Sequence, residues 1–229
     1  MIPLRDSNPR RSAPVINTTL IVINILFFFW ELSLGPLLPR AMQQWAFVPA
    51  RFWSGAPFTE DLARIFTSMF LHGGWLHLGG NMLYLWIFGD NIEDHLGHLR
   101  YLLFYFACGL AATMAHAISN TTSLLPSVGA SGAIAGVLGA YLVLFPHSRV
   151  LTVIPIFFYI IVRELPALIV LGFWFVIQIF SGIASLPART SAETGGVAYF
   201  AHIGGFAAGI FLIFLLRGRS RPARRRWPE

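Results

Sequence analysis

The chain has 229 residues, 56% of them hydrophobic and only 11% charged, with a mean hydropathy of +0.67. Such a composition excludes an ordinary soluble domain, and the length accommodates about six membrane spans of roughly 20 residues with their loops. All sixteen basic residues are arginines, six of them crowded between Arg217 and Arg226 without interleaved aromatics, so the net charge of +6 argues for membrane lipid and against nucleic acid as partner.

Residues 1–14 carry Arg5, Arg10 and Arg11 ahead of a first apolar run at 15–35. No small-residue cleavage site follows them, so this run is expected to remain as a span, with 1–14 a cytoplasmic segment. Glu31 near its outer end reads as a cap or an anchor. The loop 36–70 is too long for a simple connection, and Trp45, Phe47, Phe52, Trp53 and Phe58 suit a segment lying among headgroups. Further spans are expected at 77–92, at 99–118 with Cys108 as core packing, and at 129–146, which is rich in glycine and alanine. The stretch 147–163, apolar but interrupted by Pro155, reads as an interfacial loop or as an extension of the fifth span, 164–183. In that span Phe173, Trp174 and Phe175 suit a gate or a lipid-facing cluster equally well. A loop of flexible composition at 184–197 precedes a sixth span at 198–216, and 217–229 forms a basic cytoplasmic tail.

The expected fold is therefore an all-α polytopic bundle of six transmembrane helices over 15–216. Six spans put both termini on one side, with twelve arginines inside and Arg40, Arg51, Arg64 and Arg189 outside, as the positive-inside rule requires. An integral multi-pass protein with both termini cytoplasmic fits a bacterial inner membrane.

With this topology spans two, four and six all begin on the outer side, and each opens with a polar cluster. The clusters are His72-Gly73-Gly74-Trp75-Leu76-His77-Leu78-Gly79-Gly80-Asn81, Gly129-Ala130-Ser131-Gly132, and Ala201-His202-Ile203-Gly204-Gly205. Ionisable and hydroxyl groups in apolar helices are costly and by default mark a functional site. At 1.5 Å per residue these groups fall within roughly 10 Å of the outer boundary. Gly132, Gly136 and Ala140 form a small-residue ridge on span four, and Ala201, Gly205 and Gly209 form another on span six. Docking of the ridges would bring Ser131 beside His202.

A serine hydroxyl needs an adjacent base to become nucleophilic, and His202 is suited to that role. The backbone N–H groups at the start of span four, with His77 and Asn81 at i and i+4, are candidate donors to an oxyanion. No Asp or Glu lies where a carboxylate third member would be needed, so the expectation is a Ser–His dyad. Each element also has a plainer reading. Gly-Ala-Ser-Gly is a common helix-packing motif, a membrane histidine often bonds a neighbouring helix, and His72, His77 and His202 together offer three nitrogen ligands to a metal. No acidic ligand and no His-Glu-x-x-His accompanies them, so neither metal nor cofactor is expected.

In order and spacing these clusters resemble the rhomboid family of intramembrane serine proteases, from about residue 15 to 216. Gly129-x-Ser131-Gly132 is similar to the family's nucleophile motif, and His202 with Gly205 and Gly209 to its sixth-helix motif. His77-x-x-x-Asn81, with His72 before it, resembles the second-helix motif. Arg64 stands where the first-loop Trp-Arg pair would put its arginine, and Glu93 with Gly97 resembles an inner Glu-x-x-x-Gly. The resemblance implies a six-helix core, a Ser131–His202 dyad in a water-filled cavity open to the outside, and oxyanion contacts from His77, Asn81 and the Gly129 region. It also implies single-pass transmembrane proteins as substrates, cleaved near the outer face. Ala63 precedes Arg64 where the family often has tryptophan, and Ala135 stands where some members stack an aromatic on the histidine. The competing readings are a catalytically silent rhomboid-like scaffold that binds membrane helices and a small transporter. A transporter predicts midplane sites, whereas the polar groups here gather near one face.

Overall fold

The computed structural model describes residues 1–55, 57–156, 158–185 and 197–216. The tail 217–229, most of the 184–197 loop and Phe157 lie outside them. Helix α1 spans Val15–Ser33, and the first loop folds into three short helices, α2 (Leu38–Trp45), α3 (Pro49–Trp53) and α4 (Phe58–Ser68). The second apolar run is α5 (Trp75–Tyr84), a π-helical turn over Leu85–Gly89, and α6 (Asp90–Leu96), continuous from 75 to 96. Then come α7 (His98–Ser119), α8 (Ser131–Leu144), α9 (Ala167–Ala184) and α10 (Tyr199–Leu216).

Four of these helices, α1, α7, α9 and α10, are long and apolar enough to cross a membrane. Helix α8 is shorter, at 14 residues, or roughly 21 Å. The π turn has a local cause. Its wider winding presents the Leu85 carbonyl to the Asn17 amide, which donates to it over 3.0 Å. Gly89 completes the contact, because a Cβ there would sit 2.1 Å from Asn17 Oδ1.

The expectation of an all-α fold needs correction. Residues expected to form an interfacial loop at 147–163 instead form a β-hairpin, β2 (Arg149–Ile156) and β3 (Tyr159–Pro166). Strand β1 (Ile2–Asp6) adds to β2, giving an antiparallel sheet in the order β1-β2-β3. The hairpin is dense in valine, isoleucine and threonine, which favour the pleated backbone. Pro155 is tolerated in the middle strand because β1 ends opposite Val153, so β2 is an edge beyond that point. Residues 1–14 are thus tied to the bundle: the Tyr141 hydroxyl donates to Asp6, and the Asn91 amide donates to the same oxygen at 3.0 Å.

The core centres on α8, in which every residue from Gly132 to Tyr141 is buried. Helices α7 and α10 enclose it through small residues. Cβ atoms added at Gly205 and Gly209 of α10 would lie 2.0 Å from the carbonyl oxygens of Gly132 and Gly136 respectively. On the other side, a Cβ at Gly136 would lie 2.4 Å from Cys108 Sγ and one at Gly132 would lie 2.5 Å from Ala112 Cβ. The two ridges therefore meet backbone to backbone, with α7 as a third partner. The short helices of the first loop are held to the segment before α8. Ser127 N–H donates to Phe47 O (2.7 Å), Ala50 N–H to Ser123 O (3.0 Å) and Gly129 N–H to Ser68 O (2.8 Å).

Candidate active site

Ser131 is the first residue of α8, and His202 lies in the first turn of α10, where the ridges cross. Ser131 Oγ is 2.9 Å from His202 Nε2. A hydroxyl facing an unprotonated imidazole nitrogen is the arrangement that makes a serine oxygen nucleophilic. At the helix start the first backbone N–H groups have no intrahelical acceptor. The other face of the imidazole meets α9: His202 Nδ1 lies 2.7 Å from Gln178 Oε1, and the Trp174 ring is 5.7 Å from the imidazole centroid.

His77 and Asn81 approach from α5. Gly73 N–H donates to His77 Nδ1 at 3.3 Å, leaving Nε2 as the protonated, donating nitrogen. Asn81 Nδ2 is buried and has no hydrogen-bond partner among the described residues. Both converge on Gly129, where a Cβ would lie 2.7 Å from His77 Nε2 and 3.6 Å from Asn81 Nδ2. Gly129 also has φ +124°, so conformation and space both require glycine. A cavity of about 20 Å³, room for about one water, is lined by Ser68, Thr113, Ser127, Gly129 and Ser131 among others.

The remaining residues singled out in the sequence sit around this site and outside it. His72 is in the loop before α5, where its backbone N–H donates to both carboxylate oxygens of Glu31, at 3.0 and 3.2 Å. Burial, and secondarily the neighbouring His77, pushes the His72 imidazole down to about 4, so it is neutral at neutral pH. Arg64 pairs with Glu60 (2.8 Å) and Asp61 (3.2 Å) and donates to Gln44 O, joining α4 to α2. Glu93 lies at the opposite end of the bundle, accepting from the N–H groups of Ile16 (2.9 Å) and Asn17 (2.7 Å) and bonding His98. Gly97 ends α6 with φ +78°.

A family model described as Rhomboid domain matches residues 59–219. The chain belongs to the rhomboid family. It is 34% identical over 190 residues to RHOMBOID-like protein 6, mitochondrial, of Arabidopsis thaliana, covering 83% of this chain and 55% of that one. It is 29% identical over 196 residues to Rhomboid protein 1, mitochondrial, of Saccharomyces cerevisiae, covering 83% and 50%. A shorter match to Rhomboid protease GluP of Bacillus subtilis is 43% identical over 86 residues, covering 38% and 16%. The chain spans about half the length of the first two of these relatives.

Rhomboid membership and the apolar helices make this an integral, multi-pass membrane protein. They do not select a bacterial inner membrane, since the two longer matches carry mitochondrial names and the Bacillus match is the shortest of the three. Ala135 can supply no ring to stack on His202, and it is Trp174 and Gln178 that lie against the imidazole. Sequence reasoning passed over Gln178. The available signal was its amide, preceded in α9 by eleven residues without a hydrogen-bonding side chain other than the Trp174 indole. Neither a gate nor a lipid-facing cluster covers all three of Phe173, Trp174 and Phe175. Phe173 is 47% exposed, whereas Trp174 packs on His202 and Phe175 stacks on Phe206 with ring centroids 4.2 Å apart.

Proposed function

We propose that this chain is a serine endopeptidase that cleaves transmembrane-helix substrates near the outer membrane face. The reading assigns six membrane elements to 15–216: α1, the continuous run 75–96, α7, α8, α9 and α10. Both flanking segments, 1–14 and 217–229, lie on the arginine-rich cytoplasmic side. Because α8 is roughly 21 Å long against a hydrocarbon core of about 30 Å, an α8 whose last residue reaches the inner boundary leaves its first residue, Ser131, below the outer one.

The observation that carries the reading is the 2.9 Å approach of Ser131 Oγ to His202 Nε2, with the buried Asn81 amide, which has no partner among the described residues, facing Gly129 two residues before the serine. A substrate helix admitted laterally between the 75–96 run and α9 unwinds locally and presents a peptide carbonyl to Ser131. Ser131 Oγ attacks the carbonyl carbon while its proton passes to His202 Nε2. The negative charge forming on the carbonyl oxygen is held by Ser131 N–H, His77 Nε2–H and Asn81 Nδ2–H. His202 then gives its proton to the departing amine, and a water, deprotonated by the same nitrogen, attacks the acyl-serine and releases the second product. Single-pass membrane proteins are the proposed substrates, and lipid the surrounding partner.

The test is labelling of detergent-purified protein with a fluorescent fluorophosphonate. Labelling of wild type that disappears in both Ser131→Ala and His202→Ala is the expected result. Folded wild type that does not label would move the chain to a silent scaffold, and labelling that survives Ser131→Ala would mean another nucleophile.

A further inference from the structure

Building on the Ser131–His202 reading, we infer that Gln178 is the positioning residue of this site, an amide on α9 in the place of a triad carboxylate. For His202 Nε2 to accept the Ser131 proton, the imidazole must carry its own proton on Nδ1. Left alone, a neutral imidazole distributes between two tautomers, and one of them presents N–H to the serine and is useless as a base. Gln178 Oε1 lies 2.7 Å from Nδ1 and can only accept, so it selects the productive tautomer.

The surroundings point the same way. Gln178 is buried, at 8% exposure, on a helix whose other buried residues are Ala167, Val170, Leu171 and Gly182. An amide there is costly unless it bonds a partner, and the His202 nitrogen is such a partner. Trp174, one turn earlier on the same face, lies against the imidazole with an interplanar angle of 37°. One helix therefore fixes both the rotation of the ring and its proton. Among the described residues no carboxylate bonds His202, and the two hydrogen bonds its ring makes there go to Gln178 and Ser131. An amide differs from a carboxylate in one decisive way: turned over, it would donate to Nδ1 and hold the unproductive tautomer. The proposal is therefore a statement about which nitrogen of His202 carries hydrogen.

The test combines NMR of isotope-labelled histidine with fluorophosphonate labelling rates on the full chain. The His202 signal is assigned by its absence from His202→Ala. Wild type should show the Nδ1–H tautomer. Gln178→Met, which keeps length and volume but removes the acceptor, should mix the tautomers and slow labelling about ten-fold or more, below the roughly 10⁴-fold reached when a Ser-His-Asp triad loses its carboxylate function. Gln178→Glu, which retains an acceptor, should restore both. An Nε2–H tautomer in wild type, or Gln178→Met labelling at the wild-type rate, overturns the proposal while the hydrolase reading stands. Wild type that does not label at all overturns the hydrolase reading and this proposal with it. Should Gln178→Met fail to fold, the wild-type tautomer and the Gln178→Glu rate decide.

Discussion

Helices α8 and α9 are both strongly apolar, yet one is enclosed and the other lies on the outside. In α8 every residue from Gly132 to Tyr141 is buried, whereas α9 buries only Ala167, Val170, Leu171, Gln178 and Gly182. The difference is residue size. Against lipid there is no hydrophobic force to rank one apolar helix above another, so close approach of backbones decides which helix sits inside. Glycines and alanines on α8 and α10 allow carbonyl-to-glycine contact, while Phe173, Phe180 and Ile183 of α9 face outward. The proposed nucleophile thus rests on a helix fixed by backbone contact. The groups that hold the histidine reach it as side chains from a helix packed on one face only.

The comparison breaks most readily at the α8–α10 seam. Gly209→Val would place branched carbons where even one Cβ lies 2.0 Å from the Gly136 carbonyl oxygen. A loss of about 3 kcal/mol or more is expected, and little folded protein in a detergent melt. A Gly209→Val variant that melts like wild type would mean the seam is not the core. A second, intermediate effect separates chemistry from packing within the enclosed region. Asn81→Ala removes a buried donor that has no partner among the described residues, so the melting temperature should barely move. Its labelling or cleavage rate should fall by roughly 10²- to 10³-fold, the usual cost of one oxyanion donor. Equal losses in stability and rate would argue that Asn81 is structural. The smallest effect belongs to α9. A Cβ at Gly172 meets nothing within 4 Å, so Gly172→Ala should leave activity unchanged and alter stability by at most about 1 kcal/mol, toward greater stability.

Much of this was legible beforehand because the residues concerned act through spacing along single helices. The 3.6-residue period alone puts His77 and Asn81 on one face, and a small residue every fourth position marks the ridges of α8 and α10. The β-hairpin was hidden by its own hydropathy. Val150, Val153, Ile154, Ile160, Ile161 and Val162 suit an interfacial loop or the extension of a span as well as a strand, and Pro155 in their midst argues against regular structure. Gln178 was missed for another reason. Its function needs a partner 24 residues away on another helix, and no local period connects the two.

The sequence by itself determined a multi-pass membrane protein of rhomboid type, which polar groups open its helices, and which faces are smooth enough to meet. These follow from composition and from periodicities that each helix carries internally. Only the tertiary structure decided that α8 lies at the centre, that residues 2–6 join the hairpin, and that an amide and an indole of α9 hold His202. Those depend on how whole helices and strands are placed against one another, and that placement is a sum over many contacts between residues far apart in the chain.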